Sequence, residues 1–381
     1  MQLICTNGVS GAEKHLKHLL PGLKKFDIEC DLMIICPLGF SPVLTEFAND
    51  LIDNGIKVTV VPVKKYISVQ SLQIINRYLL DNEIEILHSH MLRSDLLGSL
   101  IKQFYFKNLF LISTKHGYQE KVIINYSPEK YTIPNNLYYY ISKYTLKRIN
   151  KNIAISKSLS ELYINFELTT EYYPVIYNGW NIDLDKIEKT SYFKKATPQL
   201  IIVGRLEAYK GHTYVLKALP AVIQKYPDVQ LILIGDGSCN KLLKEEVRQL
   251  NITDNVQFLG FQKDPYSFIY NSDIIIVPSL FESFGLVFIE AMGLKTPVVA
   301  FDVRAGNEIL DQDTGCLVPK ADIDALAKEI LKLLDDPLEG NRIAENAFSV
   351  YKENYTTPIM IKNFADYYHR LEISLHAKKL V

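Results

Sequence analysis

Two basic side chains lie close together in one short loop in the second half of the chain. A β-rich run, Leu200–Val203, leads into Gly204-Arg205-Leu206-Glu207-Ala208-Tyr209-Lys210-Gly211, and a helical pattern follows. Arginine offers a planar two-pronged donor and lysine a compact charge, so Arg205 and Lys210 could grip a diphosphate. The glycines at both ends allow the backbone to approach a ligand closely. The alternative is an exposed loop that carries two solvated cations.

A second segment, Pro278 to Met292, combines an expected anion site with two carboxylates. A strand ends at Pro278, and a helix is expected to start near Gly285. Free backbone N–H groups at a helix start bind anions, helped by the helix dipole. Glu282 precedes the helix and Glu290 lies inside it, and either carboxylate could accept hydrogen bonds from vicinal sugar or ribose hydroxyls. Glu290 could instead be an acid that stabilises the first turn of the helix.

Two other chemistries fit these residues less well. Eight residues of helix rise about 12 Å, whereas the two carboxylates of a retaining glycosidase lie about 5 Å apart, so binding roles suit the glutamates better. A dinucleotide oxidoreductase needs G-x-G-x-x-G after the first strand and an acid after the second. Here the first turn reads Asn7-Gly8-Val9-Ser10-Gly11-Ala12, and the second strand ends at Cys36-Pro37. The sequence therefore argues against NAD binding.

The order and spacing of these motifs resemble the retaining glycosyltransferases of family 4, which have the GT-B fold. In that family a Gly-Arg-Leu-x-x-x-Lys-Gly loop neutralises the donor diphosphate, which corresponds to Arg205 and Lys210. A Glu-x-Phe-Gly segment with a second glutamate eight positions after the first corresponds to Glu282 and Glu290. The resemblance implies that Glu282 contacts the transferred sugar, Glu290 the ribose, and the backbone from Phe284 to Leu286 the distal phosphate.

Weaker similarities extend over the rest of the chain. Leu259-Gly260-Phe261 resembles the family's base-contacting turn, Gly8 to Glu13 its glycine-rich acceptor-side loop, and Thr114-Lys115-His116-Gly117 a segment whose histidine lies near the sugar. Trp180-Asn181 departs from the residues usual after the family's Asn-Gly element. The resemblance implies a catalytic set of Arg205, Lys210, Glu282 and His116. It implies a donor-binding set of Gly8, Gly11, Gly204, Gly260, Phe261, Ser283, Phe284, Gly285, Leu286 and Glu290.

Short β-rich runs alternate with longer helical patterns, which is typical of βαβ units and parallel sheets. In the first half the expected strands are Gln2–Thr6, Leu32–Cys36, Lys57–Val61, Ile84–His88, Phe110–Thr114, Asn152–Ile155 and Val175–Tyr177. In the second half they are Leu200–Val203, Gln230–Ile234, Val256–Phe258, Ile274–Val277, Val298–Ala300 and Cys316–Val318. A polar stretch without periodicity, Asn178–Pro198, is the expected linker.

These elements predict an α/β protein with two doubly wound, Rossmann-like domains, and the resemblance implies that the domains face each other across a cleft in the GT-B arrangement. We expect an acceptor-binding domain over 1–177, a nucleotide-sugar-binding domain over 178–355, and a terminal helix over 356–381 that packs back on the first domain. Open α/β sheets bind ligands beyond the carboxyl ends of their strands. Both loops with candidate chemistry follow strands, as this rule requires.

Composition limits the classes of partner and compartment. The 381 residues are 48% hydrophobic and 22% charged with a net charge of −1, so nucleic-acid binding is not expected. Residues 98–160 hold ten lysines and arginines against two glutamates, a net charge of +8. Such a face could bind anionic lipid or be a solvated helix surface. The five cysteines form no C-x-x-C pair, which suits a reducing cytosol. We see no signal peptide or membrane-length apolar run.

No metal site is expected, since His88 and His90 have no nearby acid or thiol to complete one. The implied reaction moves a sugar, with retention of configuration, from a nucleoside-diphosphate sugar to a glycan or lipid-linked hydroxyl. A uridine diphosphate donor is favoured, no cofactor is expected, and surface polysaccharide synthesis at the cytoplasmic membrane face is the expected setting. The alternatives are an inactive nucleotide-sugar-binding partner subunit and a phosphorylase of the same fold.

Overall fold

The structure, a computed structural model, describes residues 1–119, 132–187 and 197–379. It divides into two compact units. One comprises Met1–Gly179 with Thr357–Val381, and the other comprises Trp180–Thr356. The predicted linker falls partly outside the described residues, which omit 188–196.

The first unit is built on a parallel sheet with strand order β3-β2-β1-β4-β5-β6. Its strands are β1 (Gln2–Cys5), β2 (Leu32–Pro37), β3 (Val58–Val63), β4 (Ile86–His90), β5 (Phe110–Lys115) and β6 (Lys151–Ala154). Its helices are α1 (Gly11–Leu23), α2 (Pro42–Asp53), α3 (Val69–Asp81), α4 (Met91–Phe104), α5 (Leu137–Leu146), α6 (Lys157–Asn165) and, from the chain end, α14 (Thr357–Lys379).

The second unit repeats this design with strand order β12-β11-β10-β7-β8-β9. Its strands are β7 (Gln199–Val203), β8 (Gln230–Ile234), β9 (Val256–Gly260), β10 (Ile274–Val277), β11 (Val298–Phe301) and β12 (Cys316–Val318). Its helices are α7 (His212–Lys225), α8 (Asn240–Gln249), α9 (Tyr266–Tyr270), α10 (Leu286–Gly293), α11 (Arg304–Ile309), α12 (Ile323–Asp335) and α13 (Pro337–Asn354). Both α/β units are therefore Rossmann-like, as the sequence predicts.

Burial on both faces of each sheet explains why the strands are nearly continuous runs of Val, Ile and Leu. Serine, asparagine and aspartate begin many of the helices; for example, the side chains of Ser68 and Asp322 accept from backbone N–H groups at the starts of α3 and α12. Apolar residues of α14, among them Met360 and Phe364, lie in the core that α1 shares with the first sheet. The expected terminal helix thus completes the first unit.

One predicted strand is wrong. Val175–Tyr177 forms only an isolated bridge, between Val175 and Ala154. A second difference concerns strand bounds: β4 runs from Ile86 to His90 rather than from Ile84 to His88. Its polar end, His88-Ser89-His90, pairs with β1 on one side and β5 on the other. Hydrogen bonds to neighbouring strands and to residues packed beside the sheet satisfy these polar side chains, which hydrophobicity alone cannot reveal.

The same strand order places a switch point in each sheet, where the chain leaves one central strand in one direction and the neighbouring strand in the other. In the first unit this point lies between β1 and β4, and in the second between β7 and β10. Ligands of open α/β sheets bind in the crevice that forms there. Each unit therefore offers one position for a site.

Candidate functional site

The switch point of the second unit brings together the two segments that carry the predicted donor chemistry. The Arg205–Lys210 loop follows β7, and the Glu282 segment follows β10. Lys210 Nζ donates to Glu282 Oε1 at 2.5 Å, and Ser279 Oγ donates to the same oxygen at 2.8 Å. The side chains of Lys210 and Glu282 are only 19% and 9% exposed. A mostly buried ion pair therefore occupies the centre of this edge.

Arg205 lies near the same region and contacts an aromatic ring of its own loop. Its guanidinium donates to the hydroxyl of Tyr209. The ring of Tyr209 lies 5.6 Å from the Arg205 guanidinium carbon and 5.4 Å from Lys210 Nζ. Both cations thus lie near one tyrosine ring. Tyr209 was not among the predicted site residues, because a tyrosine in a loop carries no signal for this position.

Glycines lock the loops of this unit together. Gly211 has φ +71°, and a Cβ there would lie 1.9 Å from the carbonyl oxygen of Pro278. A Cβ on Gly235, after β8, would lie 1.9 Å from the carbonyl oxygen of Gly204. Backbone hydrogen bonds reinforce these contacts, including Leu280 N–H to Tyr209 O at 2.8 Å. Only glycine permits such close backbone approach, so the three loops pack as one layer.

The start of α10 has the geometry of an anion site. Gly285, with φ +84°, is the residue before the helix, and Leu286 is its first residue. Phe284 is buried, whereas Ser283 and Leu286 are half-buried. A helix start at this position is compatible with the predicted anion site, and the contact with a phosphate stays a prediction.

Glu290 lies inside α10 and is buried. Burial, followed by the negative charge of Glu290, raises the pKa of Tyr266 above its ordinary value.

Gly260, at the end of β9 with φ +66°, precedes Phe261, which is 78% exposed. An exposed aromatic ring at a strand end is available to stack on a base. The ribose and base contacts stay predictions for these residues.

His212 is a member of this site that sequence reasoning missed. It follows Gly211 at the first position of α7 and lines a small pocket together with Lys210, Ser279 and Glu282. Its side chain is buried, and neither ring nitrogen has a hydrogen-bond partner among the described residues. Burial, then the charge of Lys210, lowers the pKa of His212 to about 4. A neutral imidazole therefore lies beside the ion pair.

The switch point of the first unit contains the other predicted residues. Ser10 N–H and Ser10 Oγ both donate to Glu13 Oε2, at 2.8 and 2.7 Å, which fixes the start of α1 at Gly11. Gly8 lies in the turn before it, where Thr6 Oγ1 donates to its carbonyl oxygen at 2.7 Å. The glycine-rich segment is thus an ordered turn that ends in a capping box.

His116 follows β5 and is half-buried rather than open. Its Nε2 lies 2.9 Å from Nδ1 of His90, which is fully buried at the end of β4. Burial lowers the pKa of both imidazoles well below the ordinary value, and neighbouring histidines lower it further. No group of three or more His, Cys, Asp or Glu side chains arranged for a metal ion occurs in the part of the chain that the structure describes.

The basic stretch 98–160 is less basic at its surface than its composition predicts. Lys115 is buried in an ion pair with Asp95, at 2.6 Å from Nζ to Oδ2. Asp95 also accepts from Ser89 and Ser113, so the lysine balances a buried charge. Lys121 and Lys130 lie outside the described residues. In the described part of the chain, no helix has the length and apolar character needed to cross a membrane.

Two family models match adjoining parts of the chain. Residues 9–184 match Glycosyltransferase Family 4, and residues 183–350 match Glycosyl transferases group 1. The chain belongs to glycosyltransferase family 4. The two family models meet at residues 183–184, close to the boundary between the two compact units at Gly179 and Trp180.

Curated relatives in this family match shorter regions. An uncharacterized glycosyltransferase of Methanocaldococcus jannaschii is 30% identical over 60% of this chain and 61% of its own length. The poly(glycerol-phosphate) alpha-glucosyltransferase of Bacillus subtilis is 26% identical over 76% of this chain and 45% of its own length. The chain thus spans less than two thirds of each of these relatives.

Solved structures resemble nearly the whole chain. The crystal structure of Anabaena HepE in complex with UDP has a TM-score of 0.76 at 19% identity, over 97% of this chain and 99% of that one. At this identity the likeness establishes the fold. Together with the two Rossmann-like units, it identifies the chain as a GT-B protein.

Proposed function

We propose that this protein transfers a sugar from a nucleoside-diphosphate sugar to a hydroxyl group of a glycan or lipid-linked acceptor, with retention of configuration. The observation that carries the proposal is the ion pair of Lys210 with Glu282 at the β7–β10 switch point, beside the start of α10. A cation and free N–H groups suit a diphosphate, and a carboxylate suits sugar hydroxyls. Membership of family 4 supports the same reaction.

The bond from the sugar to the distal phosphate breaks in this reaction, and negative charge develops on the departing diphosphate. Lys210, Arg205 and the N-terminus of α10 would stabilise that charge more strongly in the transition state than before it. Lys210 donates to Glu282 in the structure. A bound phosphate would therefore take over the lysine and leave Glu282 to accept hydrogen bonds from the sugar.

A uridine diphosphate sugar is the donor that we favour. The supporting observation is that Anabaena HepE, which shares the fold, has been solved in complex with UDP. In this chain the turn at Gly260 presents Phe261 to solvent, where its ring can stack on a base. Stacking alone tolerates several bases, so guanosine and adenosine diphosphates enter the test on equal terms.

The acceptor that we propose is a lipid-linked glycan at the inner face of the cytoplasmic membrane, in surface polysaccharide synthesis. The surface formed by α4 and α5 combines exposed apolar side chains, among them Phe104, Leu137 and Tyr140, with the exposed Lys143 and Lys147. Exposed aromatics beside lysines fit a membrane surface that carries anionic lipids. Sedimentation with phosphatidylglycerol vesicles tests this part separately, and equal binding to neutral vesicles would contradict it.

The donor assignment is tested by thermal shift with UDP, GDP, ADP and NAD, each at millimolar concentration. A ligand at 100 times its Kd adds about 2.7 kcal/mol of stability. We expect one nucleoside diphosphate to raise the Tm, and Arg205→Ala and Lys210→Ala to abolish the shift and most turnover. Lys241→Ala, which removes an exposed lysine from α8, is the matched control and should behave like the wild type.

Other outcomes would redirect the proposal. A shift with NAD alone would refute it. Nucleoside diphosphate binding without turnover of any donor would favour an inactive partner subunit, and turnover only with inorganic phosphate as acceptor would favour a phosphorylase.

A further inference from the structure

A continuous set of hydrogen bonds links His116 to the C-terminal helix within the first unit. His116 Nε2 lies 2.9 Å from His90 Nδ1, and His90 Nε2 lies 2.9 Å from Gln2 Oε1. The amide nitrogen of Gln2 lies 3.1 Å from the hydroxyl of Tyr368 on α14. That hydroxyl lies 2.5 Å from His88 Nδ1. We refer to His116, His90, Gln2, Tyr368 and His88 as the His116 chain.

The donors and acceptors that these groups offer determine the direction of the hydrogen bonds along the His116 chain. Burial keeps the three imidazoles neutral by lowering their pKa, so each ring has one donating and one accepting nitrogen. The amide oxygen of Gln2 can only accept, and His90 Nε2 must therefore carry the hydrogen. His90 Nδ1 is then an acceptor, and the hydrogen that it receives is the one on His116 Nε2.

The other half of the His116 chain is consistent with this direction. The Gln2 amide donates to Tyr368, the Tyr368 hydroxyl donates to His88 Nδ1, and His88 Nε2 donates to Thr114 Oγ1 at 2.8 Å. The His88 and His90 rings stack with centroids 4.7 Å apart and planes inclined by 16°, which fixes both orientations. Met91, with φ +70°, turns the backbone sharply just after His90. The reverse direction requires the Gln2 amide to turn over and would place the hydrogen of His116 on Nδ1.

We propose that Gln2 and His90 are positioning residues that hold His116 as the Nε2–H tautomer, so that its Nδ1 accepts a hydrogen bond from a hydroxyl of the substrate. His90 occupies Nε2, which leaves Nδ1 for another partner, and His116 is half-buried. The tautomer of a histidine is set by the partner of its other nitrogen. The use of this acceptor in turnover rests on the proposed glycosyl transfer, whereas the tautomer itself does not.

The tautomer is measurable in the intact protein. Two-bond ¹⁵N–¹H correlation spectra of ¹⁵N-histidine-labelled protein distinguish Nε2–H from Nδ1–H, and His116→Gln assigns the signal. We expect His116 as Nε2–H at neutral pH in the wild type. The Nδ1–H form would overturn the inference, because the chain would then run in the reverse direction.

Gln2→Met tests the positioning role, since methionine has a similar volume in this buried place and offers no amide. We expect the His116 signal to become a mixture of tautomers and kcat to fall about tenfold, with KM for the donor little changed. His369→Gln, an exposed histidine on α14, is the matched control and should change neither. A Gln2→Met protein with the wild-type tautomer and kcat would refute the role. If the Nε2–H form is found but no donor is turned over, the proposed function fails while the positioning stands.

Discussion

Glu282→Gln should bind a nucleoside diphosphate more tightly than the wild type while it turns over more slowly. Lys210 Nζ donates to Glu282 Oε1 at 2.5 Å, so a phosphate that binds the lysine must weaken this contact. A hydrogen bond to a charged group contributes about 1.5–3 kcal/mol, and a neutral one about 0.5–1.5 kcal/mol. Glutamine leaves only the weaker bond to be given up. The difference, about 1–1.5 kcal/mol, corresponds to roughly tenfold in Kd.

Isothermal titration with UDP measures the affinity, and a product assay measures turnover. Turnover should fall because the substitution also removes the carboxylate that we propose to accept hydrogen bonds from the sugar. Glu282→Gln combined with Lys210→Met should lose the gain in affinity, since the gain depends on the released lysine. Glu245→Gln, at an exposed carboxylate that pairs with Arg248 on α8, is the matched control and should titrate like the wild type. A folded Glu282→Gln protein with unchanged or weaker UDP affinity would refute the reasoning.

Three further predictions concern stability. Gly211→Ala should cost about 2–4 kcal/mol through backbone overlap and the left-handed φ; Gly8→Ala, with open space around it, is the control, and equal melting curves would contradict the locked loops. Lowering the pH from 7 to 5 should lower the Tm. The pKa of buried His15 and His212 is about 4, below the unfolded value of 6.5, so their contribution to stability is complete above pH 6.5. It is lost at lower pH as protons bind the unfolded chain, by about 2 kcal/mol per histidine at pH 5. His212→Leu should make the Tm depend less on pH, and an unchanged pH dependence would contradict the assignment. Lys115→Met should cost about 3–5 kcal/mol by leaving Asp95 buried and unpaired; a double variant with Asp95→Leu should recover part of this loss, and a strictly additive loss would refute the pairing.

The fold was predictable from the sequence because buried parallel strands have a strong local signature. The strands Gln230–Ile234, Ile274–Val277 and Cys316–Val318 have the predicted bounds. The bounds of β4 were predicted wrongly at its C-terminal end. His88 and His90 are polar residues, and their place in a buried strand becomes clear only with their partners on β1, β5 and α14. Val175–Tyr177 looked like a strand, but beyond the single bridge to Ala154 it forms no ladder in the described sheet.

The candidate site divides in the same way. Motif spacing identified the Arg205–Lys210 loop and the Glu282 segment, because each lies within one strand-to-helix connection. It could not reveal that Lys210 and Glu282 form an ion pair, since 72 positions of sequence separate them. Nor could it assign His212 or Tyr209, whose importance depends on what packs around them. The charge of the 98–160 stretch was overestimated for a related reason: Lys115 is balanced by Asp95, which precedes it by 20 positions.

The return of α14 to the first unit has a consequence for how the chain matures on the ribosome. Synthesis proceeds from the N-terminus, and domains generally fold as they emerge. Gln2 nevertheless cannot form its hydrogen bond with Tyr368 until the chain has grown by another 366 positions, and the core around α1 is incomplete until Phe364 is made. The second unit, which is contiguous from Trp180 to Thr356, can fold before the first is complete. A nascent chain would thus acquire its Lys210–Glu282 pair before its His116 chain, and a chain stalled before residue 368 would have both sheets but lack the helix that completes the first core.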